Sequence, residues 1–198
     1  LLFNDFDQNG TLDLVIYHEA TRSLWSYSRG EDGQLAEPVL VVKPNISIPH
    51  STLTADLNGD GWIDVLSISL RGNKVIWYPN EGKGIFGEQR LITERGVNQY
   101  AETVKSALEF EKQYLGAADL DGDEDIDIVH SLENEDGAIL VWQQNDGLGN
   151  FSPPIVIAEA ATHEYDTWHE NKEEAAVIKT VDMDEDGDMD VVTGTAGG

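Results

Sequence analysis

Four stretches of the chain alternate oxygen-bearing side chains with other residues: DFDQNGTLD from Asp5, DLNGDGWID from Asp56, DLDGDEDID from Asp119 and DMDEDGDMD from Asp182. In each nine-residue stretch, positions one, three, five and nine carry Asp or Asn, and position six is Gly in all but the third. In locally extended backbone alternate side chains point the same way, so positions one, three and five converge on one point. A Gly then lets the chain turn back, and the ninth carboxylate closes the same point. Such a nest of hard oxygens suits calcium, which takes roughly six to eight oxygen ligands and tolerates irregular geometry.

The predicted side-chain ligands are Asp5, Asp7, Asn9 and Asp13 in loop one, Asp56, Asn58, Asp60 and Asp64 in loop two, Asp119, Asp121, Asp123 and Asp127 in loop three, and Asp182, Asp184, Asp186 and Asp190 in loop four. Position seven varies freely (Thr11, Trp62, Asp125, Asp188) and is expected to offer its backbone carbonyl. Up to four Ca2+ ions are expected, in a structural role. Most acidic runs are simply solvated, but chance would not repeat this alternation four times with hydrophobic residues always following. Loop four, with four carboxylates and its Gly, should bind best. Loop three has Glu124 where the Gly is expected, and a left-handed conformation costs a non-Gly residue about 1 kcal/mol.

The chain has 198 residues, 40% hydrophobic and 25% charged, enough for a real core. Its net charge of -26 argues against binding nucleic acid or an anionic membrane surface, since both need clustered Lys and Arg. The loops hold 18 of the 38 Asp and Glu residues, so the acidity is local and divalent ions would offset it. No cysteine is present, and calcium would supply the cross-links that secreted proteins often take from cystine. Weakly binding loops would fill only where free calcium is near millimolar, so an extracellular location, secreted or at the cell surface, is expected. LLFNDFD lacks the features of a signal peptide, and no stretch reaches membrane-spanning length. The chain therefore reads as a mature piece, with Asn45-Ile46-Ser47 a lone glycosylation sequon.

The elements that must position these loops repeat with them. Loop starts lie 51, 63 and 63 residues apart, the spacing of a repeat architecture. Each loop is preceded by a short β-type run (TLTA, LGAA and VIKTV for the last three), and each of the first three is followed by another: LDLVIYHE, IDVLSISL or IDIVHSLE. Next comes a Trp-bearing run, SLWSY, KVIWY or AILVW, with Trp25, Trp77 and Trp142 falling 20, 21 and 23 residues after their loop starts. NEGKGIF and NDGLGNF then read as tight hairpins whose Asn and Gly residues supply positive φ angles. The first unit departs from this, with SRGEDGQL and Leu35 in place of Phe. PVLVV, QRLIT and PIVIA close the units. Helical periodicity is confined to ambiguous patches at AETVKSALEF and ENKEEAAVIK.

Repeated four-stranded antiparallel units that cannot bury both faces alone are blades of a β-propeller, an all-β architecture. The expected boundaries are residues 1–50, 51–114, 115–177 and the start of a fourth blade at 178–198, within a single propeller portion. Three blades and a beginning do not close a ring of roughly four to eight, so the chain is read as part of something larger, with closure by several copies as the second choice.

The DxDxDGxxD loop, the WYxN-type strand and the NxGxGxF hairpin together resemble the FG-GAP/VCBS repeat family, whose calcium loops are similar to those of integrin α-subunit propellers. The resemblance covers nearly the whole chain. It implies a calcium loop between the first and second strands of each blade, which agrees with the strand order read above. An EF-hand needs flanking helices and a Glu at position twelve, the RTX spacing is absent, and thrombospondin-type repeats normally carry cysteines.

A Trp recurring in each blade reads as inter-blade core. Trp62, expected to point outward from loop two, and Trp168 are candidate partner contacts. The longer segments 93–116 and 159–178 are where a rigid scaffold usually carries binding. HEYDTWHEN holds His163, Glu164, Asp166, His169 and Glu170, but their spacing matches no zinc signature. No nucleophile elbow, P-loop or HExxH occurs. The expected role is a non-catalytic binding or scaffolding module for adhesion, matrix or surface-appendage assembly. Its partners would be other protein chains or glycans at the cell surface or matrix, with room for homo- or hetero-assembly. The alternative, which the resemblance also implies, is part of a secreted polysaccharide hydrolase or lyase.

Overall fold

A computed structural model describes residues 1–30, 32–42, 49–69, 74–94, 115–134, 137–159 and 175–195. Fourteen strands and no helix occur among them. Consequently no helix of the described residues is long and apolar enough to cross a membrane.

The strands are β1 (Leu2–Asn4), β2 (Asp13–His18), β3 (Ser23–Tyr27), β4 (Val39–Val42), β5 (Pro49–Ala55), β6 (Asp64–Ser69), β7 (Lys74–Tyr78), β8 (Arg90–Glu94), β9 (Leu115–Ala118), β10 (Asp127–Asn134), β11 (Gly137–Gln143), β12 (Ile155–Glu159), β13 (Ala175–Val181) and β14 (Asp190–Thr195). They form three four-stranded antiparallel sheets in chain order, β1 to β4, β5 to β8 and β9 to β12, and a two-stranded sheet of β13 and β14. Each acidic loop joins the first two strands of its sheet, as the strand order in the sequence requires. The AAVIK end of the second ambiguous patch is strand β13, while AETVKSALEF lies outside the described residues.

The chain divides into two compact units, residues 1–101 and 102–198. In the first, Phe6, Val15, Leu24 and Val41 of one sheet pack against Val65, Ile76 and Tyr78 of the next. Tyr78 is buried enough that its hydroxyl pKa is pushed above the ordinary value. In the second, Val129 and Leu140 pack against Ile178, with Trp142 and Val191 at the margin. First strands lie beside first strands in both units. Asn4 Nδ2 donates to Thr54 Oγ1 at 3.1 Å, and Thr180 Oγ1 donates to the Ala117 carbonyl at 3.1 Å. Gly116 permits the second approach, since a Cβ there would meet the Ile178 side chain at 3.1 Å.

Strand register corrects one expectation about the tryptophans. Trp77 pairs with Leu66 and Trp142 with Val129, each ten residues beyond its loop start. Trp25 pairs with Ile16, eleven beyond, and so lies on the opposite face of its sheet. In the first sheet the corresponding position is taken by Ser26, paired with Val15 and buried without a partner for its hydroxyl. Trp77 is wholly buried, with the Arg90 guanidinium 4.6 Å from its ring centroid. Trp25 is only half-buried, bonding Ser23 through its indole nitrogen and lying near His18. Its spacing of 20 residues conceals a change of parity. The reading of Trp as inter-sheet core therefore fits Trp142, which packs against the Val129, Leu140 and Ile178 cluster, but not the half-buried Trp25.

Candidate metal loops

Each loop is built by its own carboxylates acting on its own backbone. The position-one Asp accepts from the amides of the turn: Asp5 from Asn9 and Gly10 at 3.0 and 2.8 Å, Asp56 from Gly61 at 2.8 Å, Asp119 from Asp123 and Glu124 at 3.2 and 3.0 Å, and Asp182 from Asp186 and Gly187 at 3.2 and 3.0 Å. The position-five residue accepts from the amide two residues on, in all four loops (Asn9, Asp60, Asp123, Asp186) at 2.8 to 3.0 Å. These are Asx turns, in which a short polar side chain replaces a backbone acceptor.

Two residues per loop are left-handed. Position six has φ of 84° at Gly10, 85° at Gly61, 72° at Glu124 and 102° at Gly187, so Glu124 does adopt the strained conformation expected of it. Position four is also left-handed, with φ of 57° at Gln8, 67° at Gly59, 80° at Gly122 and 61° at Glu185. Sequence reasoning missed this, although Gly59 and Gly122 were the signal. With successive reversals at four and six, the side chains of positions one, three and five ring the turn.

In the first three loops the ninth carboxylate is buried and holds the loop to the hairpin beyond the Trp strand, whereas Asp190 of loop four is exposed and accepts from the Met183 amide at 3.0 Å. Asp13 accepts from the amides of Phe6 and Arg29 at 3.0 and 2.7 Å, and Asp64 from Leu57 and Asn80 at 3.0 and 2.7 Å. Asp127 accepts from Leu120 and Asn145 at 3.3 and 2.8 Å and from the Trp142 indole at 3.0 Å. Burial raises the pKa of all three acids against these donors, that of Asp64 to about 6. The Trp77 indole nitrogen has no hydrogen-bond partner at normal distance, yet its N–H still favours ionised Asp64.

The hairpin Asn is a hydrogen-bond hub rather than a source of positive φ, which falls on Gly82, Lys83 and Gly84 and on Gly147 and Gly149. Asn80 is fully buried, its Nδ2 donating to the carbonyls of Phe6 and Ile63 at 2.8 and 3.1 Å and its Oδ1 accepting from Gly82 at 3.0 Å. Asn145 repeats the pattern toward Ile126 and Gly149. In the first sheet's hairpin Arg29 stands in the same bridge position, paired with Leu35 as Asn80 is with Phe86 and Asn145 with Phe151. The hairpin survives there without its Asn. The Arg29 carbonyl instead gathers Asn9 Nδ2 at 2.8 Å and the Thr11 hydroxyl.

Position seven leans on this hairpin. The Trp62 ring lies against Gly82, where a Cβ would meet it at 3.2 Å, so the side chain is half-buried rather than directed outward as expected. Asp125 lies against Gly147 in the same way. Partial desolvation and the neighbouring carboxylates of Asp123, Asp146, Asp119 and Asp121 push its pKa up.

Three groups of carboxylates have oxygens within 4.8 Å of one another: Asp5, Asp7 and Asp13; Asp119, Asp121 and Asp123; and Asp182, Asp184 and Asp190. The expected ninth ligand Asp127 stands outside its group, as does Asp186 in loop four. Loop two brings no such trio together among the described residues, but Asp56 Oδ1 is buried with no hydrogen-bond partner. An orphaned carboxylate oxygen is costly unless a cation meets it. All-oxygen donor sets of this kind fit calcium or magnesium and are poor for zinc or copper.

The FG-GAP-like repeat family model matches residues 5–67 and 119–193, two segments that each begin at a loop. The chain belongs to the FG-GAP-like repeat family. Its three full sheets are blades of a β-propeller and the β13–β14 pair is the start of another, a partial propeller. Among solved structures, a lectin of Agrocybe aegerita, described for its specific recognition of non-reducing terminal N-acetylglucosamine, superposes with a TM-score of 0.59 at 21% identity. The alignment takes in 96% of this chain and 45% of the lectin, so the FG-GAP-like chain spans less than half that protein's length. At that identity the likeness speaks for the fold alone. The Photorhabdus luminescens Tc holotoxin pore aligns at 22% identity over 82% of this chain and 7% of its own, with a TM-score of 0.44, too loose to bear on function. No curated protein matches the chain.

Trp168, the HEYDTWHEN residues His163, Glu164, Asp166, His169 and Glu170, and the Asn45 sequon lie outside the described residues, as do most of segments 93–116 and 159–178.

Proposed function

We propose that these FG-GAP-like repeats are part of an extracellular β-propeller that binds protein or glycan partners without catalysing a reaction on them, its loops stiffened by structural calcium. The observation that carries this reading is the recurrence of one oxygen-lined turn at the same corner of every blade, with carboxylate trios inside 4.8 Å in loops one, three and four and an orphaned Asp56 oxygen in loop two. Calcium would be held by Asp5, Asp7, Asn9 and Asp13 in loop one and by the corresponding residues of the other loops, with the carbonyls of Thr11, Trp62, Asp125 and Asp188 as further oxygen donors. It would neutralise carboxylates that otherwise repel one another and tie the first two strands of each blade together. The net charge of -26 makes divalent ions the natural counter-charge and disfavours nucleic-acid partners.

Native mass spectrometry across a calcium titration counts the ions: three or four bound per chain is the expected result, and fewer than three removes the four-loop assignment. EDTA should lower the melting temperature clearly, and an unchanged melting curve would refute the structural role. A glycan array and a polysaccharide-degradation assay, run on the same calcium-loaded protein, separate binding without turnover from the hydrolase or lyase alternative.

A further inference from the structure

Loops one and two lie in the same unit and touch through two routes. Gln8, at left-handed position four of loop one, donates its side-chain amide to the carbonyl of Gly61, position six of loop two, at 2.7 Å. The second route is buried. The Phe6 carbonyl, between Asp5 and Asp7, accepts from Asn80 Nδ2 at 2.8 Å and from the Gly84 amide at 3.0 Å. The amide of the same Asn80 donates to Asp64 Oδ1 at 2.7 Å. Phe6 and Phe86 meet edge to face beside this path, with centroids 5.6 Å apart. A ligand-bearing segment of loop one is therefore bonded to the residue that orients the ninth carboxylate of loop two.

We infer that cation binding in loop one and in loop two is positively coupled through these contacts, a conclusion that rests on the calcium reading above. A cation drawing Asp5, Asp7 and Asp13 together fixes the Phe6 and Gln8 peptides. That pre-orders Asn80, Asp64 and Gly61, so the second ion meets a loop whose ordering cost is already partly met. Neither Gln8 nor Asn80 is a predicted ligand, so the coupling can be removed while the ligands stay in place.

The amides of Gly10 and Gly61 each bond the first Asp of their own loop at 2.8 Å, and their NMR resonances report the two loops separately during a calcium titration of the full chain. Disabling loop two with Asp60→Ala should raise the calcium midpoint read at Gly10 about fivefold, the low end of measured couplings. In a Gln8→Ala, Asn80→Asp background the same change should move that midpoint by less than about twofold, the signature of a coupling removed. Gln8→Ala alone, at an exposed side chain, keeps the test valid if the buried Asn80 substitution fails to fold, and should by itself reduce the dependence. A Gly10 midpoint indifferent to Asp60→Ala overturns the coupling. Full dependence surviving in the double background, or in Gln8→Ala alone if that is the only variant to fold, overturns it as assigned to these contacts. Silence at both glycines in millimolar calcium overturns the calcium reading and the coupling with it.

Discussion

Asp64 accepts the backbone amides of Leu57 and Asn80 on its two oxygens, at 3.0 and 2.7 Å, and so stitches loop two to a hairpin sixteen residues away. The same stitch is made by Asp13 and Asp127 in their sheets. The ninth carboxylate thus has a mechanical task that does not need an ion.

Asp64→Ala should therefore destabilise the first unit even in EDTA. It removes the acceptor of the buried Asn80 amide, worth about 1–3 kcal/mol when left unpaired, and the bond to Leu57 besides, so a loss of about 2–4 kcal/mol is expected by urea unfolding. Loss seen only in the presence of calcium would mean that the stitch is incidental to the fold.

Glu124→Gly should stabilise the second unit. Glu124 is held at φ 72° at a place where Gly stands in the other three loops, and release of that strain contributes about 1 kcal/mol, less some backbone entropy regained by the unfolded chain. The substitution should also tighten ion uptake at loop three, read at the Gly122 amide. Gly61→Ala, at φ 85° with open space around it, should move stability the opposite way by strain alone.

Trp77 and Trp25 should behave differently on truncation, because they lie on opposite faces of their sheets. Trp77→Ala empties a fully buried site and should cost about 3–5 kcal/mol. Trp25→Ala, at a half-buried site, should cost less than half of that in the same denaturation experiment. Equal losses would contradict the register.

His130 gives the second unit a pH dependence of defined sign. The ring is fully buried, with Nε2 at 2.9 Å from Gln143 Oε1, and burial lowers its pKa below the ordinary 6.5. The unfolded chain therefore takes up its proton first, and the contribution present above pH 6.5 is lost as pH falls below that value. Between pH 7.5 and 5.5 the wild type should lose stability relative to His130→Gln. Asp64, in the other unit, acts in the opposite sense while free of cation: its pKa is raised to about 6, so its contribution is complete below 3.8 and lost as pH rises through 6.

Much of this architecture was legible in the chain itself. SLWSY, KVIWY and LGAA became strands at the residues read for them, because β-branched and aromatic runs bounded by turn residues leave little choice. The acidic loops were legible because position, not composition alone, repeated. What escaped was whatever depends on counting across a gap. One residue of difference between Trp25 and Trp77 reversed a face, and no alternation within SLWSY records it. The part played by Asn80 escaped because its partners, Phe6 and Asp64, lie far apart in sequence and meet only once two sheets have stacked.

The paired left-handed turns of each loop divide its labour along the chain. Positions one and three supply carboxylates to the trio in loops one, three and four, whereas position four carries Gln8, Gly59, Gly122 or Glu185 and none of the expected ligands. In loop one that site is Gln8, whose side chain reaches the Gly61 carbonyl of the next loop, so a change there alters how one blade grips its neighbour while every expected ligand keeps its place.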